Sequence, residues 1–141
     1  MFCSFVESTW VITALLIRNN RRLNSFLDWY TPFMQAQTKY STTHVEKNGA
    51  VQVDQFTITA KFDRVDVAAN GELRVVDYKT GTPPSQKQLA SGFSPQLLIE
   101  GWILSRGGYE GIPQSLPTEL QYVRMGRTET VVSITKNVDT M

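Results

Sequence analysis

Two aspartates and one lysine are the residues of this sequence best suited to chemistry. Asp63 precedes an Asn-Gly turn signal, Asp77 follows it, and Lys79 lies two residues further along the same predicted strand. If the two carboxylates face each other they repel, and each raises the other's pKa unless a cation lies between them. A hard divalent cation with oxygen ligands, Mg²⁺ or Mn²⁺, is suited to that position. A lysine beside such an ion can orient a water molecule or stabilise negative charge that builds on a phosphate.

The register of the hairpin decides whether these side chains meet. A two-residue Asn-Gly turn pairs Asp63 with Tyr78, whereas a three-residue loop over 69–71 pairs Asp63 with Asp77. The longer loop also sets Asp66 opposite Arg74, which is an attractive cross-strand pair. Because side chains alternate between the faces of a strand, the lysine then shares a face with both aspartates. We therefore predict the three-residue loop and a metal-dependent site for phosphate chemistry beside it.

Hydrophobic periodicity predicts the elements that must position these residues. The apolar run over 8–17 is either a short buried helix or a strand. Helical spacing over 21–39 predicts an amphipathic helix with a kink or restart at Pro32, for which Thr31 would be the new N-cap. The polar stretch 41–49 predicts a loop. The other predicted elements are strands over 56–62, 72–79, 119–125 and 128–135, with a turn at Gly126 before the last, and a helix that opens at Ser94-Pro95 and closes at Gly107-Gly108.

Length and composition exclude several classes of protein. At about 150 residues per domain, 141 residues predict one domain. The 14 basic and 13 acidic residues give a charge of +1, which argues against a tail that coats polyanions. The single cysteine, Cys3, excludes an internal disulfide and an iron–sulfur cluster built from this chain alone. The longest apolar run, 10–17, is shorter than the ~20 residues that span a bilayer, and no signal peptide is recognisable. We therefore expect a cytoplasmic chain that contacts no membrane.

Three ordered motifs resemble those of one nuclease superfamily. The segments are KFDRVD at 61–66, VVDYKTG at 75–81 and PQL at 95–97. Together they closely resemble the PD-(D/E)XK nuclease superfamily, and within it the RecB-like nuclease domain of AddB-type subunits of bacterial helicase–nucleases, which repair double-strand breaks. The resemblance covers roughly residues 56–108. It implies an α/β fold with a restriction-endonuclease-like core, in which helices flank a mixed β-sheet, and Mg²⁺-dependent cleavage of DNA.

The resemblance also implies a role for each motif residue. The residues implied to be catalytic are the lysine and three polar groups around it: Lys79, Asp77, Asp63 and Gln96. The implied metal ligands are the two aspartates and the backbone carbonyl of Tyr78. Glu100 lies one helical turn after the glutamine and is a candidate for a supporting role. Arg64 is another such candidate, since it could reach a phosphate or pair with a neighbouring strand.

The sequence departs from the family pattern at several positions. Lys61 stands where glycine is common, and Glu100 stands where tyrosine is common. Many RecB-like domains also carry a histidine or glutamate on an upstream helix, facing the metal. The histidine of this chain, His44, lies instead in the stretch predicted to be a loop. The alternative upstream ligands, none of which lies in a matching motif, are Glu7, Asp28 and Glu46.

These observations lead to one expected organisation and one expected function. We expect a single nuclease-like domain over 1–141, with a helical part over 1–50 and the motif-bearing core over 51–141. Because an AddB-type subunit is several times longer, the chain is either a piece of such a subunit or a shorter relative of it. The expected function is Mg²⁺-dependent DNA cleavage of the exonuclease type, with Mn²⁺ as an alternative ion, beside an AddA-type helicase–nuclease subunit. The alternative is a catalytically inactive module that holds DNA or docks a subunit.

Overall fold

A computed structural model describes residues 20–92, 95–125 and 130–135, whose main element is a five-stranded sheet. The predicted element over 8–17 and the predicted turn at Gly126 lie outside these residues. The helices are α1 (Asn20–Gln35), α2 (Gln86–Ala90) and α3 (Pro95–Ser105). The strands are β1 (Tyr40–Val45), β2 (Asn48–Val53), β3 (Phe56–Lys61), β4 (Arg64–Ala68), β5 (Leu73–Lys79), β6 (Glu119–Arg124) and β7 (Thr130–Thr135). In the part of the chain that is described, no helix is long and apolar enough to cross a membrane.

The five-stranded sheet is mixed and carries helices on both faces. Its strand order is β1-β4-β5-β6-β7, with β5 and β6 parallel and the other neighbours antiparallel. Leu97 of α3 packs in one apolar cluster with Val75, whereas Phe26 of α1 packs in another with Val76. Since adjacent residues of a strand point to opposite faces, the two helices cover opposite faces of the sheet. The predicted α/β class, with a mixed sheet flanked by helices, is confirmed.

The central strand β5 is buried on both faces, as its sequence predicts. Residues 73–77 are all buried, and they include the adjacent apolar residues Val75 and Val76. Burial of adjacent residues is typical of a strand with a parallel neighbour, because helices cover both of its faces. The chain returns from β5 to β6 through α2 and α3. The predicted end of α3 is also confirmed, since Gly107 has a φ of +71° and its N–H donates to the Leu104 carbonyl at 3.0 Å.

The β4–β5 hairpin has the predicted three-residue loop. Asp66 pairs with Arg74, and the residues on either side of this pair follow the same register. Gly71 has a φ of +86°, and its N–H donates to the Ala68 carbonyl at 2.9 Å. A glycine adopts this left-handed conformation without the steric cost that other residues have, so the Asn-Gly signal fits the loop.

A buried ion cluster on the α1 face holds this register. The Asp66 carboxylate accepts hydrogen bonds from Arg64 Nε at 2.7 Å and from Arg74 Nη2 at 2.6 Å. The Thr43 hydroxyl donates to the same carboxylate at 2.7 Å, and Gln37 accepts from Arg74 Nη1 at 2.7 Å. The three charged residues are buried, so each one needs these partners to offset the loss of water. The cluster therefore ties β1, β4, β5 and the segment after α1 together.

Of the predicted kink or restart at Pro32, the restart is wrong, because α1 is one continuous helix over Asn20–Gln35. Proline removes one backbone N–H from the helix, and that N–H would have bonded the carbonyl of Asp28. Both residues are exposed, so water can satisfy the freed carbonyl. On the opposite side of the helix, Phe26 and Tyr30 are buried against the sheet. Packing of this aromatic side maintains the helix, and no new N-cap forms at Thr31.

The predicted loop over 41–49 is also wrong, since β1 covers most of it and β2 begins at Asn48. Among the described strands, β1 is an edge strand that pairs with β4 alone, and an edge strand tolerates the polar side chains that suggested a loop. The part of the chain before residue 50 is therefore not all helical, and it contributes a strand to the main sheet. The strand predicted over 56–62 is confirmed as β3, but it pairs with β2 in a separate two-stranded sheet.

Candidate active site

The end of β5 places two of the predicted site residues on one face of the sheet. Asp77 and Lys79 alternate with Tyr78, so both point toward α3. Asp63 lies directly before β4, and its Oδ2 accepts a hydrogen bond from the Tyr78 backbone N–H at 3.0 Å. The confirmed hairpin register therefore brings Asp63 to the end of β5, close to Asp77.

Gln96, in the first turn of α3, connects the polar side chains of the site. Its Oε1 accepts a hydrogen bond from Lys79 Nζ at 2.9 Å. Its amide nitrogen donates to Asp77 Oδ1 at 2.9 Å and to Glu100 Oε1 at 3.3 Å. Lys79 Nζ also lies 2.9 Å from Asp77 Oδ2. The side chains of Lys79, Asp77, Gln96 and Glu100 thus form one connected polar group.

Burial shifts the pKa values of the two carboxyl groups beneath Gln96. Asp77 and Glu100 are 2% and 1% exposed. Burial, with a further contribution from the nearby charge of Asp63, raises the pKa of Asp77 to about 6, although the Lys79 ammonium opposes the shift. Burial raises the pKa of Glu100 to about 8, and the negative charges of Asp77 and Asp63 add to this shift. For the Lys79 ammonium, burial favours the neutral form, but the hydrogen bond and charge of Asp77 outweigh it and raise the pKa.

The donor atoms of the site fit a hard divalent cation. Glu100 Oε2 is buried and accepts no hydrogen bond, which leaves an unsatisfied oxygen beside the two aspartates. Among the described residues, no three histidine, cysteine, aspartate or glutamate side chains converge to form a complete cage. The available donors are thus the carboxylates of Asp63 and Asp77 and the carbonyl of Tyr78. One or two carboxylates are the usual protein contribution to a Mg²⁺ site, where waters and phosphate oxygens complete the coordination.

The side chains of Tyr78 and Arg64 lie on the other face of the sheet. The Tyr78 hydroxyl is hydrogen-bonded to the Tyr30 hydroxyl of α1, and Arg64 Nη1 donates to both hydroxyls, at 3.4 and 3.1 Å. Burial raises the pKa of Tyr30 well above its ordinary value, so this hydroxyl remains protonated. Of the two alternatives for Arg64, the structure supports pairing with its neighbours, because its guanidinium is buried away from the site. If Arg64 supports the site, it does so indirectly, through its hydrogen bond to the Tyr78 hydroxyl.

Two of the proposed upstream ligands, Asp28 and Glu46, have exposed side chains. Asp28 is exposed on α1, which covers the opposite face of the sheet. The backbone N–H of Glu46 donates to the Asp63 carbonyl at 3.0 Å, but its exposed carboxylate lies 3.7 Å from Lys61 Nζ. His44 lies on the edge strand β1, opposite Val65. Glu7 lies outside the described residues.

Two residues of β6 border the site, although no motif or spacing in the sequence marks them as site residues. The parallel register pairs Tyr122 with Asp77 and Arg124 with Lys79. Lys79 Nζ lies 5.7 Å from the centre of the Tyr122 ring. Parallel pairing joins strands about 40 residues apart in this chain, and no local pattern indicates which residues become neighbours. Only a prediction of the β5–β6 register could have identified these two residues as neighbours of Asp77 and Lys79.

Comparison with known proteins agrees with this fold. The sequence profile of the PD-(D/E)XK nuclease superfamily matches residues 6–140, so the chain belongs to this superfamily. Its members are typically nucleases that use divalent metal ions. Membership is therefore established for nearly the whole chain, beyond the segment that carries the three motifs.

Similar proteins are much longer than this chain. The chain is 40% identical over 111 residues to the uncharacterized protein RC0550 of Rickettsia conorii. The aligned segment covers 75% of this chain and 12% of that protein. It is 33% identical over 73 residues to the uncharacterized protein RT0391 of Rickettsia typhi, covering 50% and 8%. The chain spans about a tenth of the length of these curated relatives. A solved structure entitled "Crystal structure of SSO0001" is 15% identical, with a TM-score of 0.48 over 95% of this chain and 61% of that chain.

Proposed function

We propose that this chain is a metal-dependent deoxyribonuclease domain. The observation that carries the proposal is the hydrogen-bonded group at the end of β5, in which Gln96 links Lys79 to Asp77. Asp63 adds a second carboxylate beside this group. A lysine, two carboxylates and a glutamine amide on one sheet face are suited to metal-dependent hydrolysis of a phosphodiester. The superfamily match supports the same chemistry.

Each residue of the site has a distinct part in the proposed reaction. Asp63, Asp77 and the Tyr78 carbonyl would hold Mg²⁺, or Mn²⁺ in its place, and the bound ion would polarise the phosphate and lower the pKa of a water molecule. The Lys79 ammonium orients the attacking water or offsets the negative charge that develops on the phosphate. Gln96 holds both the lysine and Asp77 in position, so it acts as a positioning residue.

We further propose that the domain acts as an exonuclease in double-strand break repair, beside an AddA-type helicase–nuclease subunit that supplies DNA strands. The motif resemblance to AddB-type subunits supports this role. The length of the relatives is in keeping with it, since the chain matches only 12% and 8% of two of them. A nuclease domain within a much longer protein would receive its substrate from the other domains. The proposed location of such a complex is the cytoplasm.

The test is DNA cleavage by three forms of the protein. End-labelled linear DNA and closed circular DNA are incubated with Mg²⁺ and wild-type protein, Lys79→Ala or Asp77→Asn, with and without a chelator. We expect the wild type to degrade linear DNA, and we expect both substitutions and the chelator to reduce the rate by at least about a hundredfold. Lys39→Ala is the matched control, because Lys39 is an exposed lysine paired with Glu72 at the far end of the hairpin. A folded wild type without activity, or full activity of both site variants, would contradict the proposal.

A catalytically inactive module remains the second candidate, and one contact favours it. The Lys79 ammonium lies 2.9 Å from Asp77 Oδ2, so it already neutralises one oxygen that a metal ion would need. Thermal unfolding with and without Mg²⁺ separates the two candidates, since an ion that binds the native state raises the melting temperature. A competent site gives a rise that Asp77→Asn abolishes. A folded protein with neither a rise nor cleavage would be the inactive module.

A further inference from the structure

Arg124, the second residue of β6 that borders the site, carries a positive charge beside Lys79. Arg124 and Lys79 are register partners on parallel neighbouring strands, so their side chains leave the sheet on the same face. The Met125 N–H donates to the Lys79 carbonyl at 2.7 Å, which extends this alignment past the end of β6. Neighbouring strands lie about 4.8 Å apart, so the two cationic groups can reach one stretch of a bound polyanion.

Three other described arginines have side-chain partners, and Arg124 differs from them. Arg64 and Arg74 both bond Asp66, and the guanidinium of Arg106 lies over the Trp102 ring. Among the described residues, by contrast, the Arg124 side chain has neither a hydrogen-bond partner nor an ion-pair partner, and its Nε is buried. A buried donor that is left unsatisfied is uncommon in folded proteins, and a bound ligand is one kind of partner that can satisfy it.

We propose that Arg124 binds a backbone phosphate of the DNA strand that occupies the active site. A guanidinium presents its N–H groups as a planar fork that matches phosphate oxygens, and such charge-assisted bonds are strong. A second cation is also needed at this place, because the carboxylates of Asp63 and Asp77 make the site acidic and would repel DNA. Arg124 would thus position the strand beside Lys79. This inference rests on the proposed function, since it takes DNA as the ligand.

The test measures DNA binding without cleavage. A labelled single-stranded oligonucleotide is titrated with wild-type protein, Arg124→Gln or Arg124→Met in the presence of a chelator, at several salt concentrations, and anisotropy reports binding. We expect both substitutions to weaken binding about tenfold, as for the loss of one charge-assisted contact. The slope of log K against log salt should also become shallower by about 0.7, because one phosphate contact on a single strand is lost.

Arg106→Gln is the matched control for these variants. Arg106 lies just past the C-terminal end of α3, about 15 Å along the helix from Gln96, so its loss should change neither affinity nor slope. Arg124→Met retains the apolar stem and provides a second neutral variant if Arg124→Gln does not fold, which thermal unfolding reports.

The outcomes distinguish this inference from the proposed function. If the wild type cleaves DNA but the Arg124 variants bind it with unchanged affinity and slope, the inference is wrong and the nuclease function stands. If the variants lose affinity but the wild type does not cleave, the phosphate contact stands and the nuclease function fails. Absence of DNA binding by the wild type would overturn the inference, and the cleavage assay would still decide the function.

Discussion

Glu100 should make the stability of the metal-free protein fall as pH rises. Its carboxyl is 1% exposed, and its pKa is raised from the ordinary 4.5 to about 8 in the folded state. Between these two values the folded chain keeps a proton that the unfolded chain releases, so rising pH favours the unfolded state. Below pH 4.5 both states are protonated and the effect vanishes. Replacement by glutamine retains the shape of the group and removes its titration.

The size of this effect follows from the shift of the pKa. One pH unit corresponds to about 1.36 kcal/mol for a group that is protonated only in the folded state. The window from pH 6 to 8 isolates Glu100, because the pKa of Asp77 is about 6 and its contribution is largely complete by then. Allowing for partial ionisation of Glu100 near pH 8, we expect a loss of about 2 kcal/mol. For a chain of this size that is a fall of roughly 6 °C in melting temperature.

Urea unfolding at pH 6, 7 and 8 in the presence of a chelator measures the effect. The wild type should lose about 2 kcal/mol of stability across the series, whereas Glu100→Gln should lose much less. Groups other than Glu100 that titrate in this range contribute to both proteins, so the difference between them isolates Glu100. Glu110→Gln, which alters an exposed carboxylate, should behave as the wild type does. Equal slopes for the wild type and Glu100→Gln would refute the assignment of a buried, protonated carboxyl beside Gln96.

Three further predictions concern packing, charge and metal. Asp66→Ala leaves two buried arginines without their counterion and should lower the free energy of unfolding by about 3–5 kcal/mol in urea titrations, so near-wild-type stability would contradict a buried cluster. Gly49→Ala places a methyl group into the ring of Tyr109 and should cost about 1–3 kcal/mol, whereas Gly81→Ala, with no atom within 4 Å of the new carbon, should have little effect in the same thermal scan. The rise in melting temperature caused by Mg²⁺ should grow from pH 6 to 8, because the ligand Asp77 must release its proton to bind the ion, and a pH-independent rise would argue against this site.

The sequence predicted the parts of the fold that depend on local pairing. The hairpin register followed from the Asn-Gly signal and from the attraction of Asp66 for Arg74, and the structure confirms both. The doubly buried strand β5 and the ends of α3 were also readable, because apolar runs and glycines act over a few residues. The meeting of Asp77 with Gln96 came from the motif resemblance, since the two lie on elements separated by α2.

The errors arose where long-range packing overrides a local signal. Pro32 would end an isolated helix, but the buried aromatic side of α1 maintains this one. The polar sequence of β1 resembles a loop because an edge strand buries little, and only its pairing with β4 reveals it. Arg124 escaped notice for a similar reason, since its position beside Lys79 depends on a parallel pairing that no local pattern encodes.

The ion cluster around Asp66 bears on how accurately the chain folds. If β4 slipped by one residue against β5, Asp66 and Arg64, which both lie on β4, would turn to the other face of the sheet, and Arg74 of β5 would be buried without its counterion. Removing the partner of a buried charge costs about 3–5 kcal/mol, so misaligned hairpins should be rare and short-lived. The same slip would separate Asp63 from the Tyr78 N–H. Folding fidelity and assembly of the site therefore depend on one carboxylate, and a chain that has folded around Asp66 has also aligned Asp63 with Asp77.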